Sequence, residues 1–217
     1  MTLSQLKLSK RQQTQETLIP DPFLEFLTIP HKYYDHKRKR YIPRSVSDIV
    51  KKNDFLNHSR FNESRERGEV FHGYIDEYWK TGIRPINTGK YQPWIDSFLS
   101  QKNLNTWGAI ASELRLVDRF YDIAGSIDLI LKNYKTGRVA LCDYKTKKEN
   151  FSKSNHRVQM GGYLSLLHSN YPAFHVDTVR IFWVTNKRTT SSEYDVLECV
   201  RQYEQARNDF FAKSLPW

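Results

Sequence analysis

The chain has 217 residues, enough for one domain with a substantial core and short for two. Hydrophobic residues make up 39% and charged residues 27%, and no run of eighteen apolar residues exists, which excludes a membrane-crossing helix. Lys and Arg outnumber Asp and Glu by 34 to 24, a net charge of +10 that favours a polyanionic partner, nucleic acid first.

Residues 1–20 open with "MTLSQLKLSKRQQTQ", basic and free of acids until Glu16. They read as a mobile tail ahead of a single domain over residues 21–217, an organelle-targeting segment being the alternative. "DPFLEFL" (Asp21–Leu27) predicts a short helical turn. "HKYYDHKRKRYIPRSVSDIVKK" predicts an extended basic segment and then a short helix capped near Ser45 or Ser47. From Glu63 to Lys80 the apolar residues Val70, Phe71, Tyr74, Ile75 and Tyr78 recur at helical spacing. "GIRPINTGK" reads as a loop, and "QPWIDSFLSQKN" starts a helix with proline in its first turn.

The texture changes from Ala109. "AIASELRLV", "DIAGSIDLILK" and "RVALCDYK" predict three strands joined by hairpins. "NHRVQMGGYLSLLHS" predicts a helix whose paired glycines allow close packing. "VDTVRIFWVTN" predicts another strand and "DVLECVRQYEQARNDFFAK" a terminal helix. The expected fold class is α/β, with helix, three-strand antiparallel meander, helix and strand building a mixed sheet flanked by helices. Cys142 and Cys199 cannot make a disulfide framework or a cysteine-only metal site, so no iron–sulfur cluster is expected. A buried, reduced Cys142 suggests a cytoplasm-like compartment.

Within the third strand, "VALCDYKTKK" places Asp143 and Lys145 on the face shared by Val139 and Leu141. A charge there is costly without a partner. Glu113, Asp128 and Asp143 are each 15 residues apart. Each expected hairpin loop is centred midway between two of them, so symmetric closure brings the three acids into a row across one face of the sheet. Like charges opposite one another destabilise a sheet, and a bridging cation removes that cost. Hard oxygen ligands suit Mg²⁺ or Mn²⁺. A cation beside Lys145 suits phosphodiester hydrolysis, the lysine orienting water or neutralising developing charge. Solvated acids and an exposed ion pair are the alternative.

"ELRLVDRFYDIAGSIDLIL", then "LCDYKT" and "QMGGYLSLL", resemble the PD-(D/E)xK nuclease superfamily. The likeness points to its RecB-type and phage-exonuclease branch, which includes mitochondrial genome maintenance exonucleases. The superfamily core is helix, three strands, helix, strand, the order found above. The resemblance implies that Asp128 and Asp143 are acidic metal ligands, Lys145 the motif lysine, Glu113 a first-strand acid, and the Tyr144 carbonyl a further ligand. It also implies that His72 ligates the metal from the preceding helix. Gln159 and Tyr163 match the family's Q-x-x-x-Y helix, and Gly125 sits where a small residue is kept. Ser45 and Ser47 match an early serine-containing turn set against DNA. The proline of the superfamily's name is absent before Asp128, and so is the four-cysteine staple of some subgroups.

Basic runs supply further candidates: Lys37, Arg38, Lys39 and Arg40 in one, then Lys147, Lys148, Lys153 and Arg157 after the motif lysine. The aromatic content of 14% could supply stacking platforms or simply core. The expected function is a metal-dependent DNA exonuclease acting on linear ends, with a homo-oligomer or a recombination protein as candidate partner. A phage or bacterial cytoplasm suits its size. A restriction-like or structure-specific endonuclease, a non-catalytic nucleic-acid-binding module, and a small-molecule or phosphate-binding protein with a structural cation are the alternatives.

Overall fold

In this computed structural model, residues 18–50, 58–147 and 155–213 are described. The first elements depart from expectation. Leu24 and Phe26 alternate rather than repeat at helical spacing. The stretch expected as a helical turn is strand β1 (Leu24–Leu27), paired antiparallel with β2 (Lys32–Asp35). Seven residues are too few for a stable isolated helix, whereas aromatic cross-strand pairs suit a hairpin. Strand β3 (Arg40–Tyr41) completes this small sheet.

Strand β4 (Arg44–Ser45) then runs into helix α1 (Val46–Val50). The expected cap is there. The Ser45 hydroxyl accepts from the Asp48 amide at 3.2 Å, and the Asp48 carboxylate accepts from the Ser45 amide at 2.8 Å. This reciprocal pair is a capping box with aspartate in the third helical position.

Helix α2 (His58–Thr81) and helix α3 (Gln92–Leu99) precede the meander of β5 (Trp107–Asp118), β6 (Ile123–Asn133) and β7 (Val139–Lys145). Helix α4 (Asn155–Asn170), strand β8 (Thr178–Val184), strand β9 (Thr189–Tyr194) and helix α5 (Val196–Ala212) follow. Parallel β7–β8 and β4–β6 pairs among antiparallel neighbours make the six-stranded sheet mixed. Strand β9 was not anticipated. Its sequence, TTSSEY, is polar, as suits an edge strand.

Two apolar layers cover the sheet. On one face Phe71 and Ile75 of α2 and Ile95 and Phe98 of α3 pack on Leu129, Tyr144 and Phe182. On the other, Val46 of α1, Met160 and Leu166 of α4 and Tyr203 of α5 pack on Leu114, Ile127, Leu141 and Ile181. The predicted arrangement of a mixed central sheet flanked by helices is therefore the observed one.

The paired glycines of α4 set its distance from α5. A Cβ on Gly161 would lie 2.0 Å from the backbone oxygen of Cys199, and one on Gly162 2.5 Å from a Val46 methyl. Gly161→Ala should therefore destabilise the fold by about 2–3 kcal/mol, because backbone cannot yield as a side chain can. Gly73, on the exposed side of α2, has nothing within 4 Å of its would-be Cβ. Gly73→Ala should stabilise by about 0.5–1 kcal/mol through helix propensity. Urea titration of both variants checks the opposite signs.

An ionic knot ties the small sheet to the β5–β6 turn. Arg119 donates to Asp21 at 2.6 Å and to Asp35 at 2.8 Å, and Asp35 is fully buried. Burial alone would raise the Asp35 carboxyl, but the Arg119 guanidinium and the amides of Lys37 and Arg38 hold it below the ordinary value. Asp35→Ala should cost about 3 kcal/mol, since it strands part of a shielded guanidinium. Because its folded pKa is lowered, the Asp35 contribution is present at neutral pH and fades as pH falls through that lowered pKa. Acid unfolding of the variant should accordingly show a smaller loss of stability below about pH 4 than wild type.

Candidate active site

The site forms where the sheet divides. Strand β6 keeps β5 along one edge, while its other edge pairs with β7 over Leu129–Lys132 and with β4 over Ile123–Ala124. Between those contacts, from Gly125 to Asp128, that edge has no strand partner among the described residues. Asp128 uses the opening: its carboxylate accepts from the backbone amide of Tyr144 at 3.1 Å.

The expected register holds on both sides. Ser112 pairs with Leu129 and Leu114 with Ile127, which sets Glu113 against Asp128. Leu129 pairs with Cys142, so Asp128 and Asp143 are the next positions in that register, just where the strands part. The acids do not form a plain row on one face. Glu113 has a left-handed φ of 48°, and Glu113 and Asp128 turn towards His72 on α2. Asp143 and Lys145 stay on the side of α4.

His72 Nδ1 lies 3.5 Å from Glu113 Oε1 and 3.6 Å from Asp128 Oδ1. One donor atom from each of these three residues falls within 4.8 Å of the others. The ring of His72 is held edge-on to Tyr144, with centroids 5.4 Å apart, and the Tyr144 hydroxyl accepts from the Trp79 indole at 3.1 Å. Ser126, which the sequence reading passed over, donates its hydroxyl to Glu113 Oε2 at 2.9 Å. Its position two residues before Asp128 on one strand was the available signal.

Lys145 Nζ lies 2.6 Å from Asp143 Oδ2 and donates to Asp143 Oδ1 at 2.9 Å and to Gln159 Oε1 at 3.2 Å. Gln159 in turn donates to the Tyr163 hydroxyl at 2.8 Å. Asp143 Oδ2 accepts no aligned hydrogen bond despite the nearby ammonium. Gly125 is fixed by the same wall, because a Cβ there would meet Leu166 at 2.9 Å and Tyr163 at 3.2 Å. Arg67, also missed, donates to the Thr146 carbonyl just beyond Lys145 and stacks over Trp94.

The electrostatics follow from burial and like charge. Burial disfavours a charged His72, but Asp128 and Glu113, with Asp143 behind them, outweigh it and push the imidazole up to about 9. Burial likewise opposes charge on Lys145, and Asp143 and Asp128 reverse that, leaving it above its ordinary value. Asp128 is driven upward by burial, partly relieved by His72. An imidazole nitrogen with two carboxylates in this space is a donor set that fits a divalent cation.

The structure places the other candidates as follows. Arg38 and Arg40 both pair with Asp122 at the β5–β6 turn, and His36 pairs with Glu25. Lys37 and Lys39 are exposed on the same segment. Ser45 spends its hydroxyl on the cap, and Ser47 is exposed on α1. Arg157 stacks over Tyr194 at 5.1 Å. The Lys147 amide donates back to the Lys145 carbonyl. Lys148 and Lys153, like residues 1–17, lie outside the described residues.

The forked mixed sheet thus carries an acid, an acid-x-lysine step and a facing histidine, a candidate metal site. The model of the PD-(D/E)XK nuclease superfamily matches residues 89–214. The chain belongs to that superfamily. Among curated proteins nothing matches. A solved structure titled "Crystal structure of SSO0001" is similar at 16% identity and a TM-score of 0.34, over 75% of this chain and 73% of the other. No described helix is long and apolar enough to cross a membrane.

Because a cation must displace the proton that the carboxylates hold on His72, affinity for Mn²⁺ should rise between about pH 6 and pH 9 and then level. Calorimetry in buffers of different ionisation enthalpy should register about one proton released per ion. His72→Ala should remove the imidazole's share of that release, leaving what the raised Asp128 carboxyl gives up.

Proposed function

We propose that the protein is a divalent-metal-dependent deoxyribonuclease that degrades linear DNA from its ends. One observation carries the reading: the His72–Glu113–Asp128 donor cluster stands beside the Asp143–Lys145 pair at the fork of the sheet. His72, Asp128 and Glu113 would hold the cation, with Asp143 and the Tyr144 carbonyl as further ligands. When bound, Mg²⁺ or Mn²⁺ would supply Lewis acidity and ease ionisation of water.

The chain's own groups do the rest. Lys145 stays cationic at neutral pH and is steered by Asp143 and Gln159, so its ammonium can orient the attacking water and offset charge gathering on the phosphoryl oxygens. Tyr163 fixes Gln159 and thus the reach of the lysine. Water attacks in line, the leaving oxygen departs opposite, and no covalent enzyme intermediate forms. Ser126 and the Tyr144 amide hold Glu113 and Asp128 in place through the reaction.

The net charge of +10 supports a nucleic-acid substrate. The exonuclease mode rests on the resemblance of the motifs to RecB-type and phage enzymes. Linear and covalently closed DNA, single- and double-stranded, should be incubated with Mg²⁺, Mn²⁺ or EDTA. Linear DNA should disappear only with metal, and Lys145→Ala should slow this by about 10²-fold or more. Cutting of closed circles would replace the exonuclease reading with an endonuclease. Folded protein that binds DNA but cuts nothing would remove the catalytic assignment.

A further inference from the structure

We propose that Arg115 and the hydroxyl of Tyr33 form a phosphate-binding subsite beside the metal cluster, holding a backbone phosphate next to the one that is cut. The subsite rests on the nuclease reading above and deepens it, because its ligand is a second phosphodiester of the same strand.

Arg115 follows Glu113 by two residues on β5. It is paired across the sheet with Ser126, the residue whose hydroxyl holds Glu113. The guanidinium is exposed, and no carboxylate of the described residues lies within ion-pairing distance of it. Arg119 is locked between Asp21 and Asp35, and Arg38 and Arg40 share Asp122. Glu113 could have taken Arg115 as its partner, but it is engaged by Ser126 and His72 instead.

The small sheet orients this free cation. Its carbon lies 5.9 Å from the centroid of the Phe26 ring. Stacking of this kind limits the freedom of the guanidinium while leaving its N–H fork able to grip two oxygens of one phosphate. Phe26 is paired with Tyr33 across β1 and β2, with ring centroids 4.9 Å apart. The phenol lies within electrostatic range of Arg115, Glu113, Asp128 and Asp48. Burial, eased by Arg115 and reinforced by those acids, keeps it protonated up to about 12. It is therefore a hydrogen-bond donor at neutral pH, and its hydroxyl has no partner among the described residues. A guanidinium and a phenol O–H, both unspent, flank a cluster that takes a cation. Together they present to a nucleic-acid strand an anion site next to the place of chemistry.

Binding of a short single-stranded oligonucleotide should be titrated in EDTA across a range of KCl concentrations. Wild type, Arg115→Ala, Arg115→Lys, Tyr33→Phe and a remote control, Lys135→Ala, would be compared. Arg115→Ala should bind about tenfold more weakly at low salt, with its log K against log salt slope reduced by about one. Arg115→Lys should keep the slope and lose part of the affinity, since a lysine keeps the charge but not the fork. Tyr33→Phe should weaken binding a few-fold at unchanged slope, and Lys135→Ala should match wild type. With Mg²⁺ present, KM should rise for Arg115→Ala while kcat changes little. If folded Arg115→Ala binds and cleaves as wild type does, the subsite is wrong and the nuclease reading stands. If folded wild type neither binds nor cuts any nucleic acid, the nuclease reading falls and the subsite with it.

Discussion

Three carboxylates converge on one shielded opening, and most of the structure around them answers their mutual repulsion. Two like charges about 5 Å apart at a partly shielded site repel by about 3 kcal/mol. Each acid has its own set of compensating contacts. His72 serves Glu113 and Asp128, Lys145 serves Asp143, the Ser126 hydroxyl steadies Glu113, and the Tyr144 amide steadies Asp128. These compensating groups come from both sides of the sheet, so the site also fixes how the two helical layers sit on it. Helix α2 must present His72, or Glu113 and Asp128 lose their counter-charge, and α4 must present Gln159, which steers Lys145.

The apolar packing serves the same geometry. Tyr144 is buried among Phe71, Phe98 and Phe182, and its edge backs the imidazole of His72. On the opposite face Gly125 lets Tyr163 and Leu166 approach the strand that carries Asp128. A side chain there would push α4 outward and carry Gln159 away from Lys145. The left-handed backbone at Glu113 belongs to this set too. Such a conformation costs of order 1 kcal/mol or more for a residue with a side chain. It turns that carboxylate towards α2.

What could be read from the sequence follows from where the physics is local. Helical spacing in α2, the proline of α3 and the alternation of β5 to β7 each depend on a few neighbouring residues. The register of the meander followed from loop symmetry alone, and it placed Glu113, Asp128 and Asp143 at facing positions. The fork could not be read that way. It depends on β4, two residues long, taking over one edge of β6 where β7 leaves it. No pattern within two residues announces a long-range parallel pairing. Strand β9 escaped for a related reason. A polar edge strand is defined by the neighbour it pairs with, and TTSSEY has no apolar alternation of its own.

The small sheet shows the same limit with a functional consequence. "DPFLEFL" and "HKYYDHKRKRY" look like a helical turn and a basic loop when read alone, and their charges look like a phosphate-binding run. Folding spends much of that charge. Asp21 and Asp35 take up Arg119, Asp122 takes up Arg38 and Arg40, and Glu25 takes up His36. The apolar and aromatic residues left over, Leu24, Phe26 and Tyr33, lie over β5. The segment thus also braces the site strand, while Lys37 and Lys39 stay exposed on it. Among the described residues, Arg115, a residue in no basic run, is left without a carboxylate partner beside Glu113. A count of positive charges along the chain measures attraction to a polyanion at long range. Which cations remain to contact it is decided by the carboxylates that the fold brings to the others.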